Sequence, residues 1–118
     1  MPDILDFEYM YKDTPCARIV VDFTTHKVKY TPLTDVYWKL PWDPKWQAEE
    51  DVLRFFSGRV FDENRPDLAD LLQRVHADCY DPLQICLFTH ARVATDDFWI
   101  RFKGETLTWR DVHGVRPI

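Results

Sequence analysis

Residues 96–109 read DDFWIRFKGETLTW, and this stretch decides how the end of the chain joins the rest of the fold. Apolar and polar side chains alternate over residues 98–102, which is the period of a β-strand. Lys103 and Gly104 follow as a two-residue turn, in which the glycine takes the positive φ angle that such turns need. The pattern therefore predicts a C-terminal β-hairpin whose second strand runs over residues 105–109.

The predicted hairpin has one apolar face that suits a core and one polar face that suits solvent. The apolar face carries Phe98, Ile100, Leu107 and Trp109. Trp99 falls on the other face, among charged and hydroxyl side chains. A large aromatic residue in that position predicts a contact with the C-terminal tail, with a second copy of the chain or with a partner protein.

The composition is that of a folded domain of modest size. The 118 residues are 46% hydrophobic, too many for a chain that is disordered by composition, and we predict one domain over residues 1–118. There is no stretch of membrane-spanning length and no basic-then-apolar leader, so we expect a cytoplasmic protein without membrane contact. The three cysteines lack CxxC spacing, which fits a reducing compartment better than a disulfide framework.

The charge and the aromatic content narrow the class of partner. A net charge of -5 disfavours direct nucleic-acid binding and would suit a basic partner. Aromatic residues make up 15% of the chain and include five tryptophans. A core of this size can absorb most of them but can also leave one or two at an interface.

The order of predicted elements indicates an α+β fold. Strand patterns cover residues 7–11, 16–23 and 28–31. Asp43 followed by Pro44 predicts the start of a first helix, which ends at Gly58. Two more helices are predicted from near residue 66 and from residue 81. We therefore predict an antiparallel sheet, built from an N-terminal meander plus the C-terminal hairpin, that packs on about three helices.

Four residues of zinc-ligand type lie close together in the sequence. They are His76, Cys79, Cys86 and His90. The alternative is structural, because Cys86 falls on the apolar stripe of a predicted helix and His90 suits the end of that helix. We predict no metal and no cofactor, and a small zinc-binding protein is kept as an alternative function.

The sequence offers no convergent set of catalytic groups. It has no GxSxG elbow and no glycine-rich phosphate loop. Cys16 could pair only across a hairpin with His26, and a buried structural cysteine is the simpler interpretation. The acidic run at residues 49–51 suits a solvated helix start. We therefore predict that the protein is not an enzyme.

A group of arginines occupies the predicted helical region. It consists of Arg54, Arg59, Arg65 and Arg74. One interpretation is internal ion pairing between the first two helices. The other is contact with an anionic group or a peptide.

Five segments occur in an order that resembles a known family. They are YKDTPCARIVVD (11–22), LP (40–41), FFSGRVFDENR (55–65), DDFWIRF (96–102) and LTWRDV (107–112). Together they resemble the leader region ahead of the kinase part in some HipA-like proteins of Gram-positive bacteria. The resemblance implies a free-standing, non-catalytic module that binds a partner such as a separately encoded kinase or toxin. The chain departs from the family pattern at residues 61–64 and has no room for a kinase lysine, catalytic aspartate or magnesium site, so kinase activity is not carried over.

These observations predict a non-catalytic protein-interaction module of bacterial or mobile-element origin, antitoxin-like or regulatory. The predicted partner-binding residues are Trp99, Trp38, Trp42, Arg59 and Arg65, because Trp and Arg dominate interface hot spots. Structural alternatives are that Trp42 packs on the first helix and Trp38 caps the sheet. A homodimer through the sheet edge left by the hairpin is also considered. The alternative prediction is that the protein is an acidic phage or plasmid anti-defence inhibitor of a nucleic-acid-binding effector.

Overall fold

The computed structural model describes residues 3–113. In chain order the elements are β1 (Ile4–Tyr11), β2 (Thr14–Asp22), β3 (Lys27–Pro32), a 3-10 turn (Tyr37–Lys39), α1 (Glu49–Ser57), α2 (Leu68–Arg74), α3 (Pro82–Thr89), β4 (Phe98–Phe102) and α4 (Trp109–His113). The strands form one antiparallel sheet in the order β3-β2-β1-β4. The prediction of an α+β fold is confirmed, and β4 joins the meander by pairing with β1.

The main core lies on one face of the sheet, between the strands and two helices. Phe7 of β1 and Ile19 of β2 are fully buried there. Phe56 of α1 and Cys86 of α3 pack into the same cluster. Strand side chains alternate between the two faces, so every second residue of β1 enters this core. Each large apolar side chain buried in this way contributes roughly 1.5–3 kcal/mol.

Helix α3 is packed on two sides. Its start agrees with the prediction, since a side-chain oxygen of Asp81 accepts a hydrogen bond from the Leu83 amide at 3.1 Å, next to a proline at the first helical position. Cys86 packs toward the sheet, whereas Ile85 belongs to a second cluster with residues of α2. Within residues 3–113, no helix combines the length and the apolar character needed to cross a bilayer.

The predicted start of the first helix is wrong. Asp43 forms a turn instead, in which its carboxylate accepts from the Lys45 amide and its carbonyl accepts from the Trp46 amide. Helix α1 begins at Glu49, because the carboxylate of Asp51 accepts from the backbone amide of Ala48 at 3.0 Å and satisfies a free donor at the helix start. The predicted end at Gly58 is confirmed.

The predicted second strand of the C-terminal hairpin is also wrong. The turn itself is as predicted, with Gly104 at a φ of 86°. The Glu105 carboxylate then accepts from the Phe102 amide at 2.7 Å and holds the chain at the turn. Thr108 and Asp111 begin α4, since the Asp111 carboxylate accepts from the amide and the hydroxyl of Thr108. Residues 105–108 therefore form no strand.

The second face of the sheet is charged in one part and covered in another. Glu8 lies between Arg18 and Arg101 across the strands and pairs with Arg101 at 2.9 Å. Farther along, α4 covers the face, where Met10 and Val112 are buried together. The polar character predicted for this face is therefore correct only beyond the part that α4 covers.

The outer edge of β4 is occupied by other parts of the chain. The Ile100 amide donates to the His90 carbonyl at 2.9 Å. The Phe98 carbonyl accepts from Arg59. The amide of Phe102 is used by the turn described above. An added strand would have to break these bonds, so the edge proposed for a homodimer is not open in this structure.

Candidate interaction surface

Trp99 is buried, contrary to its placement on a solvent-facing surface. Its side chain is 0% exposed and packs with Met10 of β1 and Val112 of α4. The indole Nε1 donates to the Lys12 carbonyl at 2.7 Å. Of the three contacts predicted for it, the structure shows the one with the chain's own C-terminal segment. A partner cannot reach Trp99 in this fold, because α4 covers it.

Arg59 is likewise an interior residue. Its Nε donates to the Ala91 carbonyl at 2.9 Å, and its Nη2 donates to the Phe98 carbonyl at 3.0 Å. Two further bonds reach the carboxylate of Asp96, at 2.6 and 3.0 Å. Burial on its own raises the pKa of Asp96, but the bonds from Arg59 and from the Phe98 amide outweigh it and hold that pKa below its usual value. This arginine joins the end of α1 to the start of β4, and four of its five N–H donors are used within the chain.

The other arginines pair within their own segments. Arg65 binds Asp67 at 3.0 Å, and Arg54 lies 3.4 Å from Asp51. Neither pair bridges two helices, so the interpretation as ion pairing between the first two helices does not hold for these residues. Arg74 is exposed on α2. Arg65 remains accessible at the surface, as predicted.

Three of the four large exposed aromatic residues in the described part of the chain lie in the segment between β3 and α1. We call Tyr37, Trp38 and Trp46 the aromatic surface. Trp38 is 63% exposed and Trp46 is 55% exposed. Lys39 lies 5.3 Å from the centroid of the Trp38 ring and 5.2 Å from that of Tyr11, and Lys45 lies 5.2 Å from the Trp46 ring. Trp38 was identified from the sequence, but Tyr37 and Trp46 were not. Trp46 was missed because a helix starting at Asp43 would have included it.

Trp42 is half-buried and holds this segment on the core. Its ring centroid lies 5.6 Å from that of Phe55 in α1 and 5.0 Å from that of Tyr30 in β3. Its Nε1 donates to the Trp46 carbonyl at 2.7 Å. The structural alternative considered for Trp42, packing on the first helix, is what the structure shows.

A row of aromatic contacts connects Trp38 to the interior. Its ring meets Phe98 edge-on, and Phe98 stacks on Tyr9 at 4.9 Å. Tyr9 in turn meets Phe55 edge-on at 5.5 Å. Trp38 also packs against Tyr11. The exposed ring is therefore fixed on a buried aromatic base instead of projecting freely.

A cleft of about 360 Å³ opens between this segment and α1. Its lining includes Tyr9, Trp42, Trp46, Phe55, Arg54 and Arg59. Four of the nine residues that line it are aromatic, two arginines supply hydrogen-bond donors, and Asp51 also belongs to the lining. Such a mixture of apolar walls and a few polar groups is typical of ligand sites.

The four residues considered for zinc do not converge. Cys86 is fully buried, and burial raises the pKa of its thiol to about 12. Cys79 is exposed, while His90 bonds the Glu105 carboxylate at 2.9 Å. The ring of His76 lies against Phe88. In the part of the chain that the structure describes, no three His, Cys, Asp or Glu residues form a group that could hold a metal ion.

The pairing considered for Cys16 is absent as well. Its buried thiol donates to the Thr14 carbonyl at 3.5 Å, and burial raises its pKa. His26 instead bonds Glu49 through Nδ1 at 2.9 Å. A thiol with a raised pKa and no adjacent base is a poor nucleophile.

No protein-family model, characterised protein or solved structure matches this chain. The candidate surface is therefore interpreted from its own chemistry.

Proposed function

We propose that this protein is a non-catalytic interaction module that binds a separate protein through the aromatic surface. The observation that carries the proposal is the exposure of Trp38, a large ring that is 63% accessible although it is held in place on Tyr11 and Phe98. A preordered tryptophan loses little conformational entropy when a partner covers it, and tryptophan is enriched among interface hot spots.

The groups around the rings indicate the chemistry of the partner. Lys39 and Lys45 lie beside Trp38 and Trp46, where they would form a polar rim, and Lys45 also lies 3.9 Å from the Asp43 carboxylate. A partner with acidic side chains around an apolar patch complements such a rim. The same lysines disfavour a basic partner, so the alternative of an acidic inhibitor gains no support at this surface.

The proposed surface differs from the set of residues predicted from the sequence. It keeps Trp38, with Trp42 as its support, and adds Tyr37 and Trp46. Trp99 is left out because it is buried, and Arg59 because most of its donors bond other parts of the chain. The resemblance to HipA-like leader regions suggests, as part of the proposal, that the partner is a separately encoded kinase or toxin and that binding is antitoxin-like or regulatory.

Affinity capture from the native host tests the proposal. We expect tagged wild-type protein to retain one stoichiometric protein partner and Trp38→Ala to weaken that binding by roughly 30-fold or more, as expected for a hot spot. Phe88→Ala is the matched control, because Phe88 is an exposed aromatic residue on α3, outside the aromatic surface. Equal capture by both variants, with circular dichroism confirming that they fold, would contradict the proposal.

A further inference from the structure

The floor of the cleft presents a tyrosine hydroxyl that has no hydrogen-bond partner among the described residues. Tyr9 is only 6% exposed, and its ring is fixed between Phe98 and Phe55. Within residues 3–113, its hydroxyl oxygen forms no hydrogen bond, although the residue lines the cleft. Burial raises the pKa of this phenol, so the group stays protonated and able to donate. This oxygen is not among the fully buried polar atoms that lack a partner within the described residues, so it is accessible from the cleft and free to donate to a ligand atom there.

Arg59 offers a second donor at the same floor. Four of its N–H groups bond Ala91, Asp96 and Phe98. An arginine has five such donors, and the second N–H of Nη1 receives no partner from the described residues. Because Asp96 balances the charge of Arg59, the floor presents donors without a net charge. Donors of this kind suit a neutral oxygen acceptor such as a hydroxyl or carbonyl.

The walls suit a flat apolar group. The ring of Trp42 is held by its bond to the Trp46 carbonyl and by its contact with Phe55. Together these residues provide aromatic faces on which another ring can stack or meet edge-on. The volume of about 360 Å³ lies at the small end of the range for ligand sites. It therefore fits a ligand with one aromatic ring and a short side chain.

The rim adds a positive charge. The side chain of Arg54 is 78% exposed, and its contact with Asp51 is long at 3.4 Å. The other oxygen of Asp51 accepts from the Ala48 amide at the start of α1. Arg54 therefore keeps free donors at the mouth of the cleft, in a fork that matches a carboxylate.

We propose that the cleft binds a hydroxyaryl carboxylate, whose ring hydroxyl accepts from Tyr9 and Arg59 while its carboxylate meets Arg54 at the rim. The ring lies between the tryptophan and phenylalanine walls. This site is a function beyond partner binding, and it does not require the partner.

Titration of the full chain with 3-(4-hydroxyphenyl)propionate, followed by NMR, tests the site. We expect saturable binding with a Kd of roughly a millimolar or tighter, as is usual for a ligand of this size. The analogue 3-phenylpropionate lacks the hydroxyl and should bind about 5-fold more weakly. The amide 3-(4-hydroxyphenyl)propanamide lacks the charge and should bind about 10-fold more weakly.

Two variants test which residues contact the hydroxyl and the carboxylate of the ligand. Tyr9→Phe removes one of the two donors at the floor and should reduce the preference for the hydroxylated compound but not the preference for the carboxylate. Arg54→Gln should do the reverse, and its exposed position makes a folding defect unimportant for the result. Arg74→Gln, an exposed arginine on α2, should change neither preference.

The proposal is overturned if the three compounds bind equally, if no saturable shift occurs at the cleft, or if Arg54→Gln leaves the carboxylate preference intact. Trp38→Ala separates this site from the proposed function. The variant should lose the protein partner yet bind the hydroxyaryl carboxylate as the wild type does.

Discussion

Trp99 connects the N-terminal and C-terminal parts of the described chain. Its indole N–H donates to the Lys12 carbonyl, 87 residues away in sequence. The ring also separates Met10 from solvent with the help of Val112. Trp99 thus contributes both apolar burial and a satisfied hydrogen bond.

Replacement of Trp99 should be costly. We expect Trp99→Ala to lower the free energy of unfolding by about 3–5 kcal/mol, the usual cost of removing a fully buried aromatic side chain. Chemical denaturation measures this change. Trp46→Ala, on the exposed aromatic surface, should stay within about 0.5 kcal/mol of the wild type. A similar small effect for Trp99→Ala would mean that α4 does not cover the ring in solution.

The Arg59–Asp96 pair gives a prediction for pH. Because the pKa of Asp96 is lowered in the folded protein, its carboxylate stabilises the fold above the ordinary pKa of about 3.9 and loses that effect as the pH falls further. Asp96→Asn should cost about 1–3 kcal/mol at neutral pH, since it weakens charge-assisted bonds.

The pH prediction is checked by measuring unfolding of both proteins between neutral pH and about pH 2. The stability difference between wild type and Asp96→Asn should shrink below pH 4, where the wild-type carboxyl becomes protonated. A difference that stays constant through this range would contradict the assignment.

The location of Trp99 shows what a strand pattern can and cannot predict. Alternation placed Trp99 on the same face as Arg101, and the pairing of β4 with β1 agrees with that placement. Alternation cannot show which other segment covers a face. The cover here is α4, whose position depends on a long-range bond from the Trp109 amide to the Asp13 carboxylate at 2.7 Å.

Among the elements, α4 depends most on its first turn. It has five residues, too few to be stable without capping and packing. The Asp111 carboxylate accepts from both polar groups of Thr108, which is a local bond pattern that begins a helix. The sequence TWRD carries this signal, but the strand-like residues before it led to the prediction of a hairpin.

We expect Thr108→Ala to lower the free energy of unfolding by about 0.5–2 kcal/mol, the usual cost of losing a helix cap. Hydrogen exchange should also increase at the indole N–H of Trp99, because a loosened α4 exposes it. Thr106→Ala is the matched control, since Thr106 is exposed near the same turn. Equal effects of the two substitutions would show that the cap does not hold α4.

Helix starts were predictable where the cap is local and its continuation is apolar. Asp81 and the proline after it met both conditions, and α3 begins there. Asp43 has the same local signal, but its carboxylate accepts from the amide of Lys45 and forms a turn instead. The helix begins later, where the carboxylate of Asp51 accepts from the Ala48 amide. The cleft could not be predicted from local sequence patterns, because its walls come from β1, the segment before α1 and α1 itself.

For the whole molecule, the two edges of the sheet are the places where strands of a second copy could add. The edge of β4 is closed by bonds from other parts of the chain. The edge formed by β3 carries Lys27, Lys29 and Pro32, residue types that discourage the pairing of strands between molecules. We expect the chain to be monomeric at about 100 µM in the absence of its partner, a concentration at which weakly associating proteins begin to pair.

Size-exclusion chromatography with light scattering measures this. Replacing Lys27 and Lys29 together by Thr should promote dimers or aggregates, whereas Lys103→Thr, at an exposed turn, should not. A stable wild-type dimer would contradict the protective role assigned to the lysines.

The bonds of Arg59 also have a consequence for the order of folding. They reach residues that lie 32 to 39 positions farther along the chain, so the α1 end, the α3 end and the β4 start must meet before all of them form. Closing such long loops is slow relative to forming a helix or a local hairpin. We therefore expect this network to form after the main barrier, so that Asp96→Asn mainly accelerates unfolding and hardly slows folding in a chevron plot. The residue that joins three segments would then control how long the native state lasts, with little influence on how quickly it is reached.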